Sequence, residues 1–98
     1  MQSETELQSK VIKHLEALCY LVLRFNNVGF KGHTVRRKGI SDLIVCTPSG
    51  RFMAIELKRL EGKLRPEQKE FLKDVEAHKG IPLVIKTLKE IEEFTIGL

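Results

Sequence analysis

The stretch Asp42–Arg59, DLIVCTPSGRFMAIELKR, predicts the central β-hairpin of the fold. Two runs rich in β-branched and other apolar residues, 42–47 and 51–59, flank a Pro-Ser-Gly turn, which is typical of an antiparallel hairpin. A three-residue turn pairs residues whose numbers sum to 98, whereas a shorter or longer turn would shift every pair by one. In this register Asp42 lies directly opposite Glu56, with Cβ atoms about 5 Å apart on one face.

The segments on either side of the hairpin predict three helices and two further strands. In chain order we expect a helix over 4–18, a strand over 20–25, a loop over 26–39, the hairpin, a helix from Pro66 that Gly80 ends, a strand over 82–85 and a last helix opened by Thr87. Capping boxes at Ser3/Glu6 and Thr87/Glu90 mark the starts of the first and last helices. The order α-β-β-β-α-β-α predicts one α/β domain over residues 1–98. Its sheet should be mixed and flanked by helices, because a βαβ crossover adds a parallel strand to the hairpin.

Charge is unevenly distributed along the chain. The formal net charge is +4, but residues 31–69 alone hold ten Lys and Arg side chains against four Asp and Glu. A basic middle third indicates an anionic partner, nucleic acid first, or else a solvated lysine-rich face.

The hairpin places three charged side chains, Asp42, Glu56 and Lys58, on one face of the predicted sheet. Two carboxylates at this spacing repel each other unless a cation lies between them, and Mg²⁺ typically takes one or two carboxylates with carbonyls and waters. Such an ion activates water and stabilises charge on a phosphate oxygen, and a neighbouring lysine can hold or deprotonate that water. This arrangement suits phosphodiester hydrolysis. The alternative is an ordinary wetted strand face, because Glu-x-Lys is common on amphipathic strands.

The sequence resembles the VRR-NUC (virus-type replication-repair nuclease) family of the PD-(D/E)XK nuclease superfamily. The resemblance lies in Gly39-Ile40-Ser41-Asp42, in Glu56-Leu57-Lys58 and in Arg65-Pro66-Glu67-Gln68. It implies a restriction-endonuclease-like core. Ser41 stands where the family usually has proline. This change affects the backbone conformation at the entry to the strand but removes no metal ligand.

The resemblance also implies roles for individual residues. Asp42, Glu56 and the carbonyl of Leu57 would bind Mg²⁺ or Mn²⁺, and Lys58 would be the catalytic lysine. Gln68 would either support the site or contact the backbone phosphate. Glu6 matches an acidic position that can reach the metal, but it equally fits the capping box of the first helix.

Stand-alone members of the family resemble homodimeric nucleases selective for four-way (Holliday) junctions or other branched DNA. We therefore expect a metal-dependent endodeoxyribonuclease that acts as a homodimer, since a two-fold axis supplies two active sites. The basic loop would contact DNA phosphates rather than bases through Lys31, His33, Arg36, Arg37 and Lys38; alternatively, it is an exposed segment without such contacts. A non-catalytic nucleic-acid-binding module on a nuclease fold is the alternative function.

Other features limit the range of partners and locations. No apolar run approaches the roughly 20 residues of a membrane span, and no motif for a small-molecule substrate or organic cofactor is present. Cys19 and Cys46 are expected to be buried free thiols, which are typical of a reducing compartment. We expect an intracellular protein of a bacterium or of a phage-infected cell. The apolar C-terminal residues Ile91, Phe94, Ile96 and Leu98 predict either a dimer contact or core packing.

Overall fold

The computed structural model of the chain describes residues 3–25 and 37–98. Its helices and strands follow in the predicted order, and their ends differ from the predicted ends by at most two residues. They are α1 Glu4–Ala17, β1 Leu21–Arg24, β2 Leu43–Cys46, β3 Phe52–Leu57, α2 Pro66–Ala77, β4 Ile81–Ile85 and α3 Leu88–Ile96. No helix within the described ranges combines the length and the apolar character needed to cross a bilayer.

The strands form one mixed sheet in the order β1-β2-β3-β4. The pairs β1–β2 and β2–β3 are antiparallel, while β3–β4 is parallel and joined through α2, as the βαβ pattern predicts. Leu43 pairs with Ile55 and Cys46 with Phe52, so the predicted register, with numbers summing to 98, is confirmed. One step beyond the ladder, this register places Asp42 opposite Glu56.

The two faces of the sheet are covered by different helices. The larger core lies on the side of α1 and α3 and contains inward side chains of β2, β3 and β4 together with the buried stripe of α1. On the other side, Ala54 of β3 packs with Leu72 and Val75 of α2. Because strand side chains alternate between faces, Glu56 shares the α2 side with Ala54.

Side-chain hydrogen bonds fix the starts of the helices. The amides of Glu6 and Glu90 donate to the hydroxyls of Ser3 and Thr87, at 3.1 and 3.3 Å, so both predicted capping boxes are confirmed. Helix α2 begins at Pro66, as predicted. The start of each helix is therefore determined by residues adjacent to it in sequence.

The ends of α1 and α2 differ from prediction. Each is followed by a non-glycine residue in the left-handed region, Cys19 at φ 67° and Lys79 at φ 70°. Gly80 follows Lys79 and is therefore one residue too late to supply the left-handed conformation itself. A glycine is required at position 80 for another reason, because a Cβ there would lie 2.8 Å from Cγ1 of Val75. The prediction that Cys19 is buried is also wrong, since its position in this exposed turn leaves the thiol in solvent, and Cys46 is only half-buried.

Candidate active site

Asp42 is the residue immediately before β2, and hydrogen bonds hold both its backbone and its side chain. Its carbonyl oxygen accepts from the amide of Phe25 at 2.8 Å, which extends the β1–β2 pairing. Its Oδ2 accepts from the amide of Leu57 at 2.8 Å. The carboxylate therefore occupies a position at the end of β3 that a main-chain carbonyl would otherwise fill, directly beside Glu56.

Glu56 is a charged residue in a dry environment. Only 2% of its surface is exposed. Its Oε1 accepts from Nε2 of Gln68 at 3.2 Å, whereas Oε2 is buried without a hydrogen-bond partner among the described residues. An ionised carboxylate with an unpaired buried oxygen is costly, so Glu56 needs either a proton or a cation.

The electrostatics of Glu56 reflect this environment. Burial first, and the adjacent Asp42 carboxylate second, raise the pKa of Glu56 from 4.5 to about 8, although the nearby charges of Lys58 and Arg65 oppose the rise. At neutral pH the carboxyl is therefore largely protonated in the absence of a bound cation. The pair Asp42/Glu56 carries close to one negative charge under these conditions.

Gln68 links α2 to this pair. Its amide nitrogen donates to Glu56, and its Oε1 accepts from the amide of Arg65 at 2.8 Å. The side chain is 5% exposed. Gln68 therefore caps the start of α2 and orients Glu56 with the two ends of one amide group, which is a firmer support than either contact alone.

Lys58 lies just beyond β3, at the end of the sheet where the carboxylates are found. Its amide still donates to the carbonyl of Ile85 at 3.1 Å, so its backbone is held by β4. The half-buried side chain lines a small cleft with Ser3 and Glu4 at the start of α1. Its positive charge opposes the rise in the pKa of Glu56, but the cleft that its side chain lines includes none of Asp42, Glu56 and Gln68.

The structure places Glu6 in the capping box. Its Oε1 accepts from the amide and the hydroxyl of Ser3, at 3.4 and 3.2 Å, and the side chain is exposed. Among the described residues, no group of three or more His, Cys, Asp and Glu side chains is arranged to hold a metal ion. Glu6 is accordingly not gathered with Asp42 and Glu56 into such a group.

The basic loop is described only at its C-terminal end. Lys31, His33 and Arg36 lie outside the described residues. Arg37 is engaged by Asp74 of α2, with its Nη2 2.6 Å from Oδ2. Lys38 is exposed and lines a cleft of about 460 Å³, whose lining residues are Phe25, Arg37, Lys38, Gly39, Ile40, Arg65 and Glu67.

Three further residues are buried polar groups or carry charge beside Glu56, and the sequence assigned them no role in the site. Ser41 is fully buried with no partner for its hydroxyl among the described residues, and Gln8 is a buried polar residue on the core side of α1. Arg65 contributes positive charge beside Glu56. Gln8 follows Leu7 at core spacing, and Ser41 and Arg65 stand within the motifs that resemble the family, but none of these signals predicts the burial of Ser41 or the charge of Arg65 beside Glu56.

The residues present fit a hard divalent cation. Two carboxylates and the Leu57 carbonyl offer only oxygen ligands, and the unpartnered Oε2 of Glu56 is the oxygen whose burial a cation would compensate. Magnesium and manganese accept such incomplete protein ligation, because waters and substrate oxygens fill the remaining positions. A site of this kind needs no third protein carboxylate.

Comparisons with known proteins agree with this geometry. A sequence model of the VRR-NUC domain matches residues 2–87. A solved structure named "VRR_NUC domain" superimposes with a TM-score of 0.74 at 22% sequence identity, covering 94% of this chain and 92% of that one. No curated protein matches the chain significantly.

The α/β nuclease-like fold and the family match define a nuclease-type domain. The chain belongs to the VRR-NUC family. The family and fold that the sequence resemblance implied are thereby confirmed. DNA is the substrate that a nuclease domain implies.

Proposed function

We propose that this chain is a Mg²⁺- or Mn²⁺-dependent DNA endonuclease that hydrolyses phosphodiester bonds in branched DNA as a homodimer. The observation that carries the proposal is the buried Glu56, opposite Asp42 and two residues before Lys58, with one carboxylate oxygen that has no partner among the described residues. In a nuclease-type domain, this combination of acidic pair and lysine favours metal-dependent hydrolysis over simple DNA binding.

Asp42, Glu56 and the carbonyl of Leu57 would hold the ion, which when bound lowers the pKa of a water ligand and neutralises charge on the phosphate. Lys58 would accept a proton from the attacking water or face the negative charge that develops on the phosphorane oxygens. Gln68 keeps Glu56 in place. Glu6 remains assigned to its helix cap in this proposal.

The basic residues support approach of a DNA backbone to the site. Lys38 and Arg65 line one cleft, and Arg65 is close enough to Glu56 to influence its titration. We assign Lys31, His33 and Arg36 to the same phosphate-binding surface on their sequence positions. Contacts of this kind provide affinity without base specificity, which suits an enzyme that recognises DNA shape.

Homodimer formation is supported by exposed apolar residues near the C-terminus. Ile91 is buried in the core and Phe94 packs against it, but Ile96 is 84% exposed and lines one cleft with Leu18 of α1. A C2 dimer would supply two active sites for symmetric cuts in a junction. Sedimentation of the Ile96→Glu variant should show a monomer, while Leu60→Glu, which changes an exposed leucine outside that cleft, should remain dimeric.

The deciding experiment is a cleavage assay of the purified protein on hairpin, flap, nicked and four-way DNA with Mg²⁺, with Mn²⁺ and with EDTA. We expect metal-dependent product, most from the branched substrates. Salt-sensitive binding without any metal-dependent product would instead favour the non-catalytic binding module. We expect the reaction inside a bacterial or phage-infected cell, where such DNA intermediates occur.

A further inference from the structure

The segment that leads into Asp42 runs along α2. Gly39 has φ +83°, and a Cβ built there would lie 2.2 Å from the carbonyl oxygen of Glu67. The main chain at Gly39 therefore touches the first turn of α2 directly. No side chain other than hydrogen fits between the two backbones.

A second contact follows two residues earlier, at Arg37. Its Nη2 is 2.6 Å from Oδ2 of Asp74, and its guanidinium lies 5.2 Å from the centroid of the Phe71 ring. Positions 67, 71 and 74 follow the i, i+4, i+7 spacing of a single helix face. The segment 37–39 therefore lies antiparallel along one stripe of α2, touching it at both ends.

Both carboxylates of the candidate site consequently depend on α2. Gln68, adjacent to the Gly39 contact, donates to Glu56. Asp42 is attached to the same helix through the segment 37–41, and its Oδ2 accepts from Leu57. A shift of this segment along α2 would move Asp42 relative to Glu56.

We propose that Arg37 is a positioning residue of the active site, held by Asp74 and Phe71, and not a phosphate contact. The Arg37 and Asp74 side chains are 41% and 49% exposed, so the pair is accessible to solvent and its effect on stability is small. The contacts of Arg37 fix the position of the segment 37–41 along the axis of α2, and therefore the position of Asp42 relative to Glu56. This role in cleavage rests on the proposed nuclease function.

The two roles of Arg37 predict opposite effects of removing Asp74. If Arg37 contacts phosphate, Asp74→Ala removes a competing anion and should tighten DNA binding. If Arg37 positions Asp42, Asp74→Ala should lower the single-turnover rate at saturating protein by about 3- to 10-fold, with DNA affinity and its salt dependence unchanged. Glu76→Ala, which removes an exposed carboxylate two residues along α2, is the matched control and should cut at the wild-type rate.

Two more variants sharpen the test. Arg37→Met loses both the ion pair with Asp74 and the guanidinium over Phe71, and it should cut at least as slowly as Asp74→Ala. The double variant Arg37→Met/Asp74→Ala should be no slower than Arg37→Met alone, since the interaction that Asp74→Ala removes is already absent there. Arg37→Lys, which retains the charge opposite Asp74, should recover part of the rate.

The amide resonance of Leu57 provides a readout that needs no activity, because this N–H donates to Asp42. It should shift in Asp74→Ala and not in Glu76→Ala. Tighter DNA binding by Asp74→Ala, or an unchanged rate and an unchanged Leu57 resonance, would overturn the proposal. If the wild-type protein cuts no DNA, the proposed function fails, and the Leu57 resonance alone then decides whether Arg37 positions Asp42.

Discussion

At the scale of single residues, Glu56 combines a titratable carboxyl with almost complete burial. Desolvation opposes ionisation, and the Asp42 carboxylate opposite opposes it further. Gln68 satisfies only one of the two oxygens. The side chain is therefore costly to the folded protein without a cation, which is typical of positions kept for function rather than for stability.

Replacing Glu56 by glutamine should separate catalysis from binding. The amide retains the volume of the side chain but loses the negative charge that a divalent cation requires. We expect metal-dependent cleavage to fall by at least about 100-fold. DNA affinity measured in EDTA near neutral pH should be unchanged, because the Glu56 carboxyl is already largely protonated without a cation.

Glu61→Gln is the matched control for this substitution, since it removes an exposed carboxylate from the connector after β3. Cleavage rates and binding constants measured side by side decide the outcome. Undiminished cutting by Glu56→Gln would exclude Glu56 as a metal ligand.

The raised pKa of Glu56 predicts how the metal-free protein responds to pH. Between 4.5 and about 8 the folded protein retains a proton that the unfolded chain has released. The contribution of Glu56 to stability is thus fully present below pH 4.5 and is lost as pH rises toward 8, by up to about 1.4 kcal/mol per pH unit. Urea unfolding in EDTA at pH 5.5, 6.5 and 7.5 measures this decline.

Glu56→Gln should flatten the pH profile, because the amide does not titrate. Mg²⁺ should stabilise the wild type more at pH 7.5 than at pH 5.5, since binding displaces the proton. A wild-type profile parallel to that of Glu56→Gln in EDTA would show that Glu56 titrates normally.

At the scale of elements, two glycines with the same backbone conformation allow a controlled comparison. Gly39 and Gly50 have φ values of +83° and +88°, so alanine pays a similar conformational cost at either position. At Gly39 the new Cβ meets the carbonyl of Glu67 at 2.2 Å, whereas at Gly50 nothing lies within 4 Å.

Gly50→Ala should therefore cost about 1–2 kcal/mol of unfolding free energy, and Gly39→Ala at least about 2 kcal/mol more. Because Gly39 touches the turn that carries Gln68, its substitution should also slow cleavage in protein that is still folded. Urea unfolding and cleavage assays at a temperature where both variants are folded provide the two measurements. Equal destabilisation by the two substitutions would show that α2 does not contact Gly39.

Local sequence signals explain why the hairpin register and the starts of the helices were predictable. The hairpin register follows from the length of one turn, and each capping box involves residues three apart. The ends of the helices were less predictable. Lys79 takes the left-handed conformation that a glycine usually supplies, whereas the glycine at position 80 is required by its close approach to Val75.

In the candidate site, too, the residues placed by local sequence were predictable and those placed by tertiary packing were not. Asp42 and Glu56 belong to one hairpin, so strand alternation and register were sufficient to predict that they lie opposite each other. Gln68 came from the family resemblance. The burial of Ser41, the proximity of Arg65 and the engagement of Arg37 by Asp74 all depend on how α2 docks on the sheet, and no short-range pattern in the sequence reports that packing.

At the scale of the whole molecule, the excess of basic residues in the middle of the chain surrounds an acidic pair. Helix α2 separates one of these basic residues, Arg65, from a basic residue outside the group, Lys79. Arg65 lies at its N-terminal end, beside the cleft that Lys38 also lines, and Lys79 follows its C-terminal end. Twelve helical residues span about 18 Å, more than the Debye length of about 8 Å at physiological salt.

This separation predicts which lysines and arginines take part in DNA binding. Each phosphate contact adds about 0.9 to the slope of log affinity against log salt concentration. Lys38→Ala and Arg65→Ala should therefore each reduce the slope by about 1, whereas Lys79→Ala, with the same change in net charge, should leave it unchanged. Titrations of a fluorescent four-way junction at several salt concentrations, with EDTA present to prevent cutting, measure all three. An equal decrease for Lys79→Ala would mean that DNA responds to the total charge of the protein, and that the cleft beside Glu56 is not its binding surface.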